Sequence, residues 1–349
     1  MTIRPPEPLT PYSYMRADGR VGVVPGESGR LWRVYVDPEA RTVGFDAMPI
    51  VLPPPREAHE PPFADLSGSH DLSRVLLWTD RLRVVDFATG ETVRDADPRP
   101  LEMRAVCLSP SGRHVIGLDE SQGWTLEVDG ERGWEVTYEF HDAGEERQFL
   151  DHVDQVVAIP VLTAATDAGG GAGEDGGTVD EDGRKVDEFG FEIYERAEFW
   201  VVAACYGEAL VQRAVEWTPG GIDAVPGERR WLGKHMVYDP TMIHGPPGPR
   251  HVFVYHGYGS GVVALDLEAG TELPFPTPAG VSYSYVRDVV PCGMAPLASV
   301  STRDGRRLWH VEEGRVTPVD GDFLGVMAVY PGTLLCTTTE GALRFVDLP

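Results

Sequence analysis

Leu82-Arg83-Val84-Val85-Asp86-Phe87-Ala88-Thr89-Gly90 is the stretch that decides the fold. A short β-forming run ends on a carboxylate and passes into a turn closed by glycine. The same order of strand, acid and turn returns at Asp37, Asp129, Glu216, Asp266, Glu312 and Asp347. From Asp37 through Asp86 to Asp347 the steps are 49, 43, 87, 50, 46 and 35 residues. A period in the forties, built of strands with no helices between them, predicts the blades of a β-propeller. The expected fold is all-β, with seven blades in a single domain over 1–349 and an insertion in blade four where the step is long.

Working outward, each repeat carries further apolar runs. Second strands are expected at 21–24, 75–78, 115–118, 200–205, 252–255, 297–300 and 334–337. They are unbroken and rich in β-formers, as strands buried on both faces should be. Third strands at 31–37, 81–86, 124–129, 210–216, 261–266, 307–312 and 342–347 end on the acids, and several alternate polar with apolar residues. The turns Phe87–Gly90 and Leu267–Gly270 place glycine where positive φ is expected, and the acid can accept turn amide hydrogen bonds. Hairpin structure alone accounts for the acids' recurrence at this level. The last repeat has three strands, so closing the ring calls for a strand from residues 1–10 or 12–16. Pro5, Pro6 and Pro8 confine the first choice to an outer edge.

Composition narrows the function classes. With 42% hydrophobic residues in 349, the chain can bury a large core. Its formal charge of −25, from 55 acidic and 30 basic residues, repels phosphate backbones and anionic lipid, so neither nucleic acid nor membrane is expected as a partner. Lys185 and Lys234 are the two lysines of the chain, a bias that points to a GC-rich, bacterial genome. Cys107, Cys205, Cys292 and Cys336 lie far apart with no CxxC pair, and buried free thiols are expected. The opening MTIRPPEPLTPY has no apolar signal core and no run of eighteen apolar residues occurs, so a cytoplasmic protein is expected.

Residues 165–199 break the pattern. They hold eleven Asp or Glu against three Lys or Arg, with a Gly-rich start, and read as a flexible acidic insertion between the first and second strands of blade four. A second acidic loop, 141–146, follows blade three.

Two stretches resemble WD40-type repeats. Val106-Cys107-Leu108-Ser109-Pro110-Ser111-Gly112-Arg113 resembles the family's turn between first and second strands. Val84-Val85-Asp86-Phe87-Ala88-Thr89-Gly90 and Val263-Ala264-Leu265-Asp266-Leu267-Glu268-Ala269-Gly270 resemble its Trp-Asp turn, with Val85 and Leu265 where Trp is usual. No Trp-Asp dipeptide occurs, and the Gly-His that opens family blades is echoed by Ser69-His70. The resemblance implies a WD40-like propeller and a habit of binding proteins, and it implies no chemistry.

Aligning first strands on their turns gathers cations into one column. Arg104, Lys234 and Arg287 share a position, and Arg16 joins them through the likeness of Tyr12-Ser13-Tyr14-Met15-Arg16 to Tyr283-Ser284-Tyr285-Val286-Arg287. In WD40-like propellers that position rims the central channel. Such a ring would dock an anionic group or acidic peptide, with Tyr14 and Tyr285 among its aromatic contacts. The alternative is that these cations pair with neighbouring carboxylates. His244 with His251 across a hairpin is a possible metal pair, whereas His251 and His256 point to opposite faces of a strand. Asp180 and Asp182 before Gly183 resemble part of a calcium loop that lacks its first carboxylate and its bidentate Glu. Gly257-Tyr258-Gly259-Ser260-Gly261 fails the nucleophile-elbow pattern and Gly233-Lys234 fails the phosphate-loop pattern, so no cofactor and no catalytic residue is assigned. The expected function is a non-enzymatic scaffold that binds a protein partner at the channel rim. A propeller hydrolase or lyase, and a structural subunit of a larger bacterial assembly, stand as alternatives.

Overall fold

The computed structural model describes residues 2–10, 13–16, 19–52, 65–97, 102–119, 122–139, 155–161, 178–179, 185–186, 195–205, 208–218, 221–232, 251–255, 262–267, 271–275, 285–292, 295–302, 305–312, 315–319, 323–330 and 332–347. All regular elements among them are strands, arranged as six four-stranded sheets, one three-stranded sheet and one two-stranded hairpin.

The chain opens on β1 (Thr2–Ile3) and lays down sheet one as β2 (Tyr14–Met15), β3 (Val21–Pro25), β4 (Arg30–Asp37) and β5 (Thr42–Val51). Sheet two is β6 (Asp65–Gly68), β7 (Arg74–Trp78), β8 (Leu82–Asp86) and β9 (Thr92–Ala96). Sheet three is β10 (Ala105–Leu108), β11 (His114–Leu118), β12 (Gln122–Glu127) and β13 (Glu135–Glu139). β14 (Gln155–Pro160) starts sheet four, the hairpin of β15 (Thr178–Val179) and β16 (Lys185–Val186) intervenes, and β17 (Glu195–Cys205), β18 (Glu208–Thr218) and β19 (Ile222–Leu232) complete it. Sheet five is β20 (His251–Tyr255), β21 (Val262–Asp266) and β22 (Thr271–Phe275). Sheet six is β23 (Tyr285–Cys292), β24 (Ala295–Thr302), β25 (Gly305–Glu312) and β26 (Arg315–Val319). Sheet seven is β27 (Phe323–Tyr330), β28 (Thr333–Thr338) and β29 (Leu343–Asp347), with β1 returning to pair antiparallel on β29.

Burial on both faces makes these sheets stack. Along β10 and β11 the period of two sends Ala105, Cys107, Ile116 and Leu118 to a core shared with sheet four, while Val106, Leu108 and Val115 enter a core shared with sheet two. Sheet one divides likewise: Val24, Trp32, Val34 and Val36 pack on sheet seven, and Val23 and Leu31 on sheet two. Each such Val or Leu contributes about 1.5–3 kcal/mol by leaving water. The inner strands touch in sequence: β2 meets β6, β6 meets β10, β10 meets β14, β20 meets β23, β23 meets β27, and β27 meets β2 again.

The N-terminal segment seals the last of these joints. Leu9 is 2% exposed in the core between sheets one and seven, and its N–H donates to the Gly341 carbonyl. Gly341 has φ +70, and a Cβ there would lie 2.8 Å from the Leu9 nitrogen, so the close crossing needs glycine. Glu7 accepts from the Ser28 amide and hydroxyl and from Trp32 Nε1. The outer strand is thus Thr2–Ile3, which lies ahead of Pro5, Pro6 and Pro8 and adds two rungs on β29.

Several expectations shift by a few residues. β12 ends at Glu127, so Asp129 lies in the turn beyond it, and Glu216 stands inside β18. β17 begins at Glu195, within the 165–199 stretch expected as an insertion, because Glu195–Glu198 continue the ladder with β18 past the end of β14. Ser69-His70 does not open sheet two. Ser69 N–H donates to the Arg74 carbonyl as Ser109 N–H donates to that of His114, which makes 69–74 the counterpart of the turn 109–114.

Candidate functional site

Arg104 and Arg287 occupy one register position. Arg104 precedes Ala105, which pairs with Leu118, and Arg287 lies at a bulge just before Asp288, which pairs with Ser299. Ser299 stands as far into β24 from Ala295 as Leu118 stands into β11 from His114. Arg104 thus stands just before its inner strand begins, with its side chain exposed, whereas Arg287 stands two residues inside β23. Tyr285 is the first residue of β23, opposite Ser301.

Arg16 does not join them. Its N–H donates to the Val21 carbonyl, the bond that Ser109 makes to His114, so Arg16 sits at the turn end of its inner strand, away from the end marked by Arg104. The likeness of the two Tyr-Ser-Tyr stretches is overruled by the position of β2 against β3. Tyr14 is not a rim contact either: its hydroxyl donates to the Gly68 carbonyl at 2.8 Å, tying sheet one to sheet two, and burial pushes its pKa up. Lys234, His244, Asp180 and Asp182 lie outside the described residues, and His251 is placed as the first residue of β20 opposite Asp266. Among the described residues no three His, Cys, Asp or Glu side chains stand together as metal ligands. Cys107 and Cys336 are buried free thiols as expected, and burial pushes the Cys336 thiol up to about 12.

The recurring acids have a second role that hairpin logic does not reveal. Asp37 and Asp86 do cap their own turns, accepting from Ala40 N–H and Thr89 N–H at 2.9 Å. Others reach the neighbouring sheet. Arg41 of sheet one pairs with Asp347 of sheet seven, and Arg74 of sheet two reaches Asp129 of sheet three at 3.5 Å while holding Asp86 at 2.8 Å. Arg33, 5% exposed, spans from sheet one to the turn after Asp86. Its Nε and a terminal nitrogen donate to the carbonyls of Phe87 and Ala88 at 2.6 and 2.8 Å, and its other terminal nitrogen pairs with Asp46.

The most buried of these joints links sheets three and four. His114 Nδ1–H donates to Glu216 Oε1 at 2.6 Å, and Ser109 Oγ–H donates to the same oxygen at 2.9 Å. A carboxylate acceptor requires the proton on Nδ1, which fixes the tautomer of His114. The side chains are 5% and 1% exposed. Burial pushes the Glu216 carboxyl up, but hydrogen bonds from His114, Ser111 and Ser109, with the field of His114, hold it below its ordinary value. The serine gives its proton to the carboxylate, leaving the imidazole no part in activating it, and Ser109 is fully buried. This is the chemistry of a clamp between sheets, whereas a nucleophile needs a base on its hydroxyl and access for substrate.

No family model and no curated protein matches the chain. Among solved structures it is similar to the β-propeller domain of Cps50 (Swd1) from Myceliophteria thermophila, with 11% identity and a TM-score of 0.56 over 100% of this chain and 99% of that one. It is similar also to U3-55K, with 10% identity and a TM-score of 0.56 over 100% and 98% of the two chains. At such identity the likeness establishes the fold: the chain is a WD40-like β-propeller.

Proposed function

We propose that this propeller is a protein-interaction platform that captures an acidic segment of a partner at the end of the ring where the inner strands begin, with Arg104 and Arg287 as anchors. What supports this reading is that Arg104 and Arg287 each directly precede an inner-strand residue, Ala105 and Asp288, whose partner stands four residues into the second strand. Guanidiniums are suited to bidentate recognition of a carboxylate. Lys234, by its place in the sequence pattern, adds a third cation, and Tyr285 an aromatic neighbour. Propeller catalysis gains nothing from the Ser109–His114–Glu216 cluster, whose serine is sealed from solvent.

The test is binding of a fluorescent short polyglutamate peptide to the full chain, read by anisotropy. Arg104→Glu with Arg287→Glu should abolish binding without moving Tm. Undiminished binding by the double variant would overturn the assignment.

A further inference from the structure

Residues 7–10 form a strap on the path of the chain from β1, on sheet seven, to β2 in sheet one, across the joint between the first and last sheets. Its fastening to sheet seven is slight. β1 makes two rungs on β29, and beyond them Leu9 N–H donates to the Gly341 carbonyl. Pro5, Pro6 and Pro8 bring no amide donors. On sheet one the strap meets the turn from Pro25 to Arg30. Thr10 N–H donates to the Pro25 carbonyl, Glu27 N–H donates to the Pro8 carbonyl, and Leu9 bridges to Gly26. The densest set of bonds is at Glu7. Its Oε1 accepts from Ser28 Oγ–H at 2.9 Å and from Trp32 Nε1–H at 2.8 Å, and its Oε2 accepts from Ser28 N–H at 2.9 Å. A Cβ on Gly26 would stand 2.3 Å from the Glu7 carboxyl carbon, so glycine at that position admits the group to the turn.

We propose that Glu7 makes the strap an acid-operated latch, fastened while its carboxylate is ionised and released on protonation with the sheets still folded. All three of its partners are donors. An ionised carboxylate accepts from all of them, whereas a protonated carboxyl has a proton of its own to place and loses acceptor capacity. Arg30 on β4, its guanidinium 5.9 Å from the Trp32 ring centre, favours the ionised form, and Glu27 in the same turn, Glu340 beside Gly341 and Arg4 ahead of the strap are exposed. Burial pushes the Glu7 carboxyl up, but the bonds from Ser28 and Trp32, with the field of Arg30, hold it below its ordinary 4.5. The latch is therefore complete above that pH and is lost as pH falls through the fastened value. A segment held by so few backbone bonds opens at lower free energy than the core. The two sheets keep other ties: Val34, Val36, Leu335 and Phe345 share one core, and the Tyr330 hydroxyl donates to the Gly19 carbonyl at 2.6 Å. Release bares the socket that Leu9 fills and the outer edge of β29, an unpaired strand edge of the kind to which other chains add.

The experiment follows the full chain from about pH 6.5 to 3.5, reading the hydrogen-exchange protection factor of the Leu9 amide and the Trp32 indole N–H resonance, with the core amides of Ile116 and Leu126 as reference. Leu9 protection should fall about tenfold in acid, the Trp32 resonance should move over the same pH range, and Ile116 and Leu126 should stay protected. Glu7→Gln places an amide NH2 against one of the three donors, so its strap should already be about tenfold less protected at pH 6.5 and should not respond to acid. Ser28→Ala keeps the carboxylate and removes one donor, which should move the release midpoint up in pH. Equal Leu9 protection in the wild type and Glu7→Gln at pH 6.5 would overturn the proposal. An acid loss of the same size in Glu7→Gln would place the titrating group elsewhere in the joint, as at Asp347 with Arg41, and overturn it too. So would loss of Leu9 protection only together with that of Ile116, which is global unfolding, or a midpoint unmoved by Ser28→Ala.

Discussion

Glu216→Ala should be the most damaging single change at a charged residue of the joint between sheets three and four. It leaves the Nδ1–H of His114 and the hydroxyl of Ser109 without their acceptor in residues that are 4% and 0% exposed. A hydrogen bond to a charged group is worth about 1.5–3 kcal/mol, and each orphaned buried donor costs a further ~1–3 kcal/mol. The loss should therefore fall in the ~3–5 kcal/mol range found when a buried pair is broken from one side. With an unfolding entropy of about 2.1 cal/mol/K per residue over 349 residues, Tm should drop by about 4–7 °C. Glu216→Gln keeps the shape and one acceptor oxygen, and should cost about 1–2 kcal/mol. The pH dependence separates charge from packing. Because folding holds this carboxyl below its ordinary 4.5, its contribution is complete above that pH and is lost as pH falls through the folded value. Thermal melts from pH 7 down to 3 should thus show a steeper acid loss in the wild type than in Glu216→Gln. Melts of both variants within a degree of the wild type, or an equally steep acid limb in the glutamine variant, would refute the clamp.

Two further substitutions probe how the sheets are held. Arg33→Lys should destabilise by about 2–4 kcal/mol in urea titration, since one ammonium cannot reproduce the fork that serves Phe87, Ala88 and Asp46 at once; a loss under half a kcal/mol would count against that joint. Leu72 holds φ +60 while 2% exposed, so Leu72→Gly should relieve ~1–2 kcal/mol of left-handed strain yet lose more in burial, a net cost of about 2 kcal/mol. A more stable glycine variant would show that the strain dominates.

The fold was legible because Asp86, Asp266 and Asp347 end abrupt β-forming runs, a local signal that needs no knowledge of distant contacts. The roles of the acids between sheets were not, since the partners of Glu216 are 102 and 107 residues away and nothing in the local sequence names them. The first-to-second-strand turn at 69–74 was obscured by Leu72, which takes the left-handed position that Gly112 fills at φ +75 in sheet three. A serine five residues before a basic residue at the start of the second strand, Ser69 to Arg74 and Ser109 to His114, was the available signal. Arg104 lies just before β10, whereas Arg287 falls at a bulge inside β23, an irregularity that no residue pattern announces. Arg16 was misplaced because β2 has two residues, too few for residue likeness to fix its pairing with β3.

That difference offers the sharpest test of the proposed capture surface. The affinity of one polyglutamate peptide should be compared in Arg104→Glu, Arg287→Glu and, separately, in Arg16→Glu. The reading predicts that the first variant loses the peptide while the second binds it like the wild type; loss with Arg16→Glu and retention with the pair would contradict it.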